Sequence, residues 1–332
     1  MAIPTGLGAS LGLKKESSYG TYVAPTLFLP FDSESFSRQQ NRTDATGGFR
    51  AGRSVPLVGL DRLTTRSAGG EFTVKGWNKG LGSIFNLMHG NTVTPEKIGA
   101  STAYKQIHKL GENNNIAGKS LTIQVGIPDI EGTVQPFSYI GSKITNLGIS
   151  IATGGELMLT PTIASKDEVT AEALASPSYA AGLKPFVFTD GELTVASDSL
   201  PIVGSADISI PMAMKTDRFG LNKSALAAEP IGPNDWVQAS GSATMEFKGL
   251  TQYNHFTAAD EVKVVLIFEG AVISESNKEK LKIEMPACKF TGTSPSISSP
   301  DVVEVSFPFS VFDNGTEAPI TIEYVSADTT IV

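Results

Sequence analysis

The chain has 332 residues, 40% hydrophobic and 18% charged, with 33 glycines, one cysteine and a formal net charge of −8. Its length suits two domains of ordinary size, each with its own core, and its glycine content fits many strands joined by tight turns rather than coiled coil or helical repeats. An internal disulfide is excluded, no apolar run approaches the roughly 18 residues of a spanning helix, the N-terminus lacks the order of a signal peptide, and an acidic chain is no conventional duplex reader; synthesis in the cytosol is expected, with no membrane partner.

Near the N-terminus, GASLG at 8–12 matches Gly-x-Ser-x-Gly. A nucleophile elbow needs a strand before it and a helix after it, so this stretch reads instead as a flexible N-terminal arm. The segment 38–66 follows. It holds six of the seven arginines, Arg38, Arg42, Arg50, Arg53, Arg62 and Arg66, against two acids, Asp44 and Asp61. Six positive charges less two negative give +4 there, which leaves −12 on the remainder of a chain of net −8. The segment keeps no period of two or 3.6 and reads as a long excursion outside the core. Loops of this length inside a compact domain are usually functional or become ordered against a partner.

Residues 69–77 (GGEFTVKGW) alternate as a strand, and 78–90 (NKGLGSIFNLMHG) place Leu81, Ile84, Phe85 and Met88 on one helical face. This predicts a short amphipathic helix over 78–90, weakened by Gly80 and Gly82 and held by packing on a sheet. TAYKQIHKL at 102–110 and KSLTIQVGIPD at 119–129 read as strands, and more strands follow to about 167. IAGKS, ending at Ser120, mimics a phosphate loop but lacks the first glycine and runs into a strand. TAEALASPSYAAGLKP at 170–185 is the predicted linker.

The second half repeats the element order of the first. SGSATMEFKGLTQYNHFTAAD at 240–260 follows the strand-then-helix pattern of 68–90, with Leu250, Tyr253 and Phe256 as the apolar stripe. VKVVLIFEG stands where KSLTIQVG stood, and the stretch from KLKIEMPACKF to VFDN parallels that from PFSYIGSK to ASKDE. The expected fold is therefore mainly β, in two tandem domains over 1–185 and 186–332. Each is a β-sandwich or barrel with a short flanking helix, and the first carries the arginine-rich arm.

Chemistry-bearing patterns are scarce. His89, His108 and His255 lie at no metal-ligand spacing, and one thiol, Cys288, reads as a buried small hydrophobe. No catalytic residue, cofactor or metal is expected. Trp77 and Trp236 are both read within or beside strands.

The stretches ESSYGTYVAPTLFLPFDSESFSRQQNR, RAGR, GKSLTIQVGIPDIEGTVQPFSYIGSKITN, EPI at 229–231, FKGLTQYNHF at 247–256 and SSPDVVEVSFPFSVFDNGTEAPITI together resemble the tail tube proteins of siphophages, bacteriophages with long non-contractile tails. The resemblance runs nearly the whole length and is made of many weak motifs. It implies a non-enzymatic virion protein whose copies form rings with six tube-domain positions, stacked into a hollow conduit for double-stranded DNA. Tail terminator, distal tail and tape measure proteins would be its partners. With two such domains per chain, three chains would complete a ring of pseudo-sixfold symmetry. The arginine-rich arm is then the expected inter-ring or inter-subunit contact, and an acidic wall would let DNA slide without specific binding. Two other readings are the inner tube of a contractile tail or phage-derived particle and, in another class, a carbohydrate-binding or adhesin-like β-sandwich with exposed aromatic platforms.

Overall fold

The computed structural model describes all residues except 1–4, 44, 45, 47–51, 53, 197, 201–203, 293, 298, 299, 301 and 332. The chain is mainly β. Its elements in the first half are β1 (Ser10–Lys15), β2 (Leu27–Phe28), β3 (Phe31–Glu34), β4 (Ser37–Arg42), β5 (Leu63–Lys75), α1 (Gly82–Phe85), β6 (Glu96–Lys97), β7 (Tyr104–Leu110), β8 (Leu121–Pro128), β9 (Val134–Ala152), β10 (Met158–Ser165) and β11 (Asp167–Val169). The second half holds β12 (Gly191–Val195), β13 (Asp198–Leu200), β14 (Ser205–Pro211), β15 (Ser240–Glu246), α2 (Thr251–Ala258), β16 (Val262–Ser274), β17 (Asn277–Phe290), β18 (Glu304–Val311) and β19 (Ile320–Ser326).

Side-chain alternation decides which face of each strand is covered. In β16 Val262, Val264, Leu266 and Phe268 are buried while Lys263 is exposed. In β10 Leu159 and Ile163 are buried, and in β18 Val305, Phe307 and Phe309 are. Each such side chain contributes about 1.5–3 kcal/mol when fully buried, so a one-residue slip of any strand would expose its whole apolar set.

Both halves use one pairing order. The first runs β2, β1, β8, β9, β10, β5, then β3 and β4 along the outer edge of β5. The second runs β13, β12, β16, β17, β18, β15, β14. The registers coincide as well. Lys143 faces Ala164 in the first half and Lys289 faces Ser310 in the second. Leu121 faces Ser142 and Ile123 faces Tyr139, across a one-residue irregularity; Val262 faces Cys288 and Val264 faces Met285, across the same irregularity. Gly69 and Gly70 of β5 face Ala164 and Ile163, as Ser240 and Gly241 of β15 face Ser310 and Phe309. β11 lies on β9 as β19 lies on β17.

Two seams join the halves. β14 pairs with the outer part of β9, from Pro211 opposite Asn146 to Ser205 opposite Ala152. β19 is inserted between β17 and β7, with Ile322 facing both Ile283 and His108. The apolar interior is consequently one cluster, from Leu11 and Phe85 in the first half to Phe268 and Tyr324 in the second. The expectation of two separate cores is not met, because strands of one half complete sheets of the other. Nor is 170–185 a free tether. Gln124 donates to the Ala173 carbonyl (3.0 Å) and accepts from the Ala175 amide (2.8 Å), and Tyr179 meets Phe28 edge-on.

Four local expectations change. The GASLG stretch is no flexible arm: Ser10 opens β1, whose Leu11 and Leu13 are buried against β8. The helix read over 78–90 is a single α-helical turn, Gly82–Phe85, flanked by turns. Close packing explains it, since a Cβ on Gly82 would lie 2.0 Å from Gln106 Oε1. The ends of the 38–66 excursion are the paired strands β4 and β5 rather than loop. Their polar residues sit on exposed faces and so carry no apolar alternation. Trp77 is buried and donates to the Pro30 carbonyl (3.2 Å), but Trp236 lies in a loop and is 97% exposed.

Candidate assembly surface

The arginine-rich region is a twisted β4–β5 ribbon leading to an outlying loop. Arg38 on β4 and Arg66 on β5 converge on one carboxylate, Asp167, at 3.5 and 2.7 Å. Asp167 is buried at the start of β11, so this pairing ties the base of the ribbon to the first half. Arg42 is exposed and forms an ion pair with Asp61 at 2.7 Å, closing the ribbon before the loop. Arg62 has no ion-pair partner among the described residues, and Arg50 and Arg53 lie outside them. Beside these charges Val55, Leu57, Val58, Leu60 and Leu63 are exposed. A tip that combines free apolar side chains with cations is unusual for a solvated loop and suits a partner surface.

The second half carries a loop at the equivalent place, between β14 and β15. It is not free. Residues 212–239 lie across the first half as a strap, with the Met212 amide donating to the Thr145 carbonyl (2.7 Å) and the Arg66 amide donating to that of Ser224 (2.6 Å). The centre of this seam is Lys143, 1% exposed, whose Nζ lies 2.5 Å from Glu229 Oε1 and also donates to the Ile116 carbonyl. Glu229 accepts from the Gly118 amide as well (2.8 Å), and Arg218 donates to the Glu229 carbonyl (2.7 Å). Burial pulls the Lys143 ammonium below its ordinary pKa, and the Glu229 carboxylate opposes that shift. Removing one partner of such a buried pair typically costs about 3–5 kcal/mol.

The helix residues divide by half. Leu81, Ile84, Phe85 and Met88 are all buried, with Phe85 edge-on to both His108 and Tyr324. In α2 only Phe256 packs against the core; Tyr253 is half-buried and stacks beside it. Leu250 is 59% exposed, off the sheet, because the helix starts one residue later and leaves it at the cap.

The remaining chemistry-bearing groups are structural in their surroundings. His89 Nε2 and His108 Nδ1 are 3.1 Å apart in the core, and burial lowers their pKa values to about 4 and about 3. Both are therefore neutral near pH 7. His255 pairs with Asp260 at 2.9 Å. The Cys288 thiol is buried and pushed up to about 12 by desolvation, which leaves it protonated and unreactive. Glu16 is buried and accepts from Ser120, Thr122 and the amides of Gly20 and Gly141, a set that clamps β1 to β8 and β9. Among the described residues no group of three His, Cys, Asp or Glu side chains is placed to hold a metal. Among the described residues no helix is long and apolar enough to cross a membrane.

Two of these features were illegible in the sequence. The Lys143–Glu229 contact joins residues far apart in sequence, and Lys143 interrupts the apolar pattern of its strand. The Arg38–Asp167–Arg66 cluster needs β11 folded back on β9.

A search of the curated proteins finds no match. A family model described as phage tail tube protein matches residues 6–311. That span includes β1 through β18, so both halves and both outlying loops fall within it. The chain belongs to the phage tail tube protein family, structural proteins of the virion tail that assemble with themselves into a tube.

Proposed function

We propose that this protein forms the tail tube of a siphophage from stacked rings of three chains, each chain supplying two tandem tube domains, 1–185 and 186–332. The carrying observation is that the halves repeat one pairing order in one register. Three chains then present six near-equivalent units, and a heterologous contact that closes by rotation gives a ring. The stacked rings enclose the conduit through which double-stranded DNA is ejected. A net charge of −8 suits a wall along which DNA slides without specific binding. The arm, with Arg38, Arg42, Arg50, Arg53, Arg62 and Arg66 at its base and along it, supplies the contact between rings or subunits; because Arg38, Arg66 and Arg42 are paired with Asp167 and Asp61 inside the chain, the forks left to meet carboxylates of a neighbour are those of Arg50, Arg53 and Arg62. Tail terminator, distal tail and tape measure proteins cap and fill the tube. Synthesis takes place in the host cytoplasm, and the protein carries out no catalysis.

Negative-stain microscopy of the concentrated protein tests this. Hollow filaments are expected, whereas monodisperse small particles at every concentration would remove the tube reading.

A further inference from the structure

In the first half, the outer end of β9 at 146–152 is held on both edges, by β10 and by β14. The second half has a β17–β18 hairpin of the same length, since Lys289 and Ser310 are as far apart in sequence as Lys143 and Ala164. Its outer end is different. β17 stops at Phe290, and the described residues 291–292 and 294–297 belong to no strand. Among the described residues β18 therefore meets β17 only through 288–290 and the bonds flanking them, from the Phe312 amide to the Ala287 carbonyl and from the Thr291 amide and hydroxyl to the Pro308 carbonyl, and its edge at 304–307 has no strand beside it on that side.

A donor strand with one edge uncovered by any strand exists too, the Phe36 amide on that edge being held by the strand's own Glu34 carboxylate (2.8 Å) until a partner replaces it. The counterpart of β14 in the first half is 33–39, the end of β3 and the start of β4, which β5 covers on one edge only among the described residues. The opposite edge is the one with which β14 holds β9. Ser33, Ser35, Ser37 and Gln39 are exposed there, a polar edge of the kind that keeps an unpaired strand soluble until its partner arrives.

We infer that residues 33–39 of one copy pair antiparallel with the outer β17–β18 hairpin of a second copy, so that the β14–β9 seam inside the chain is repeated between chains. Within the chain, Ser209 faces Gly148, Ile208 faces Ile149 and Ala206 faces Ile151. The same register between copies sets Ser37 opposite Ser294, Phe36 opposite Pro295 and Glu34 opposite Ile297. Pro295 stands where Ile149 bonds toward β14, so it brings no amide proton to the Phe36 carbonyl and this pair of the seam lacks one bond. Lys289 points the same way. It occupies the register position of Lys143 but is exposed, its ammonium 6.0 Å from the Phe312 ring and without a carboxylate partner among the described residues. Donor and acceptor are different surfaces, so the contact is heterologous; its closure into a ring rests on the tube reading above.

Cysteine coupling in assembled tubes tests the seam. The background is Cys288→Ser, which places there the residue type that Ser142 supplies in the first half. Ser37→Cys combined with Ser294→Cys is expected to give, on oxidation, a ladder of covalent dimers and trimers in a non-reducing gel. Either substitution alone, or Ser37→Cys with Ile297→Cys, is expected to stay uncoupled. Hydrogen exchange on the unmodified chain reads the same contact, with 33–39 and 292–297 slowing by about tenfold or more on assembly. Visible tubes with no ladder and no protection at these two stretches overturn the seam and leave the tube reading intact. No tubes from the unmodified chain overturn both.

Discussion

The β9–β10 and β17–β18 hairpins have one length and one register, yet among the described residues the first is a strand pair to its tip and the second only at its base. What differs is the neighbour: β14 lies along the outer part of β9, and its strap delivers Glu229 to Lys143. Register is thus a local property, set by turn length and alternation, whereas the order of a hairpin's outer end depends on what covers its second edge. The same contrast separates the two long loops. The 212–239 strap is docked on the first half, whereas the hydrogen bonds and the ion pair of the described residues 57–62 stay within their own ribbon.

The largest expected effect comes from removing the first-half loop. Deleting residues 41–64 should leave a folded, soluble subunit that no longer forms tubes; tubes of normal length from this deletion would break the comparison. Next come the two helices. Phe85→Ala, at a fully buried position, should cost about 3–5 kcal/mol in denaturant unfolding. Leu250→Ala at the exposed equivalent should change stability by less than about 0.5 kcal/mol.

The two lysines at one register position come third. Glu229→Ala strands the Lys143 ammonium and should destabilise the subunit by about 3 kcal/mol or more. Lys289→Met should leave the free subunit within about 0.5 kcal/mol of its parent. Equal losses from both would mean that Lys289 already has a partner inside the chain.

The last effect is on pH dependence. The folded state holds His89 and His108 neutral down to about 4 and 3, while unfolded histidine takes up its proton near 6.5. The unfolded state therefore binds more protons in this window, and stability falls as pH drops from about 6.5 toward 4. His108→Gln should flatten that slope. Because the second half has no counterpart of β7, the acid sensitivity should appear first in hydrogen exchange around β7 and α1 rather than around α2.

Much of this fold was legible where alternation reports burial. Ile123 and Val125 on β8, and Val264 and Leu266 on β16, marked equivalent strands before any pairing was known. The order of elements in the two halves was readable from turn positions, but the common register was not, since few residue identities carry it. The helix over 78–90 was overextended because the stripe of Leu81, Ile84, Phe85 and Met88 also suits a turn pinned beneath Gln106. β1 and β4 escaped notice for opposite reasons. β1 offers only the single Leu11–Gly12–Leu13 alternation, too brief to mark a strand, and β4 is polar on both faces and does not alternate. At the assembly surface, the clustering of arginine was plain in the sequence. That Arg38 and Arg66 share Asp167, and that Arg42 takes Asp61, depends on strands meeting across the fold.

The central claim is that one chain supplies two equivalent units of a six-unit ring. End-on electron cryomicroscopy of assembled tubes tests it most directly. The account predicts a hollow ring of six similar lobes built from three chains, with every second seam continuous within a chain. Six chains per ring, each contributing one half to the wall and the other to the outside, would contradict it.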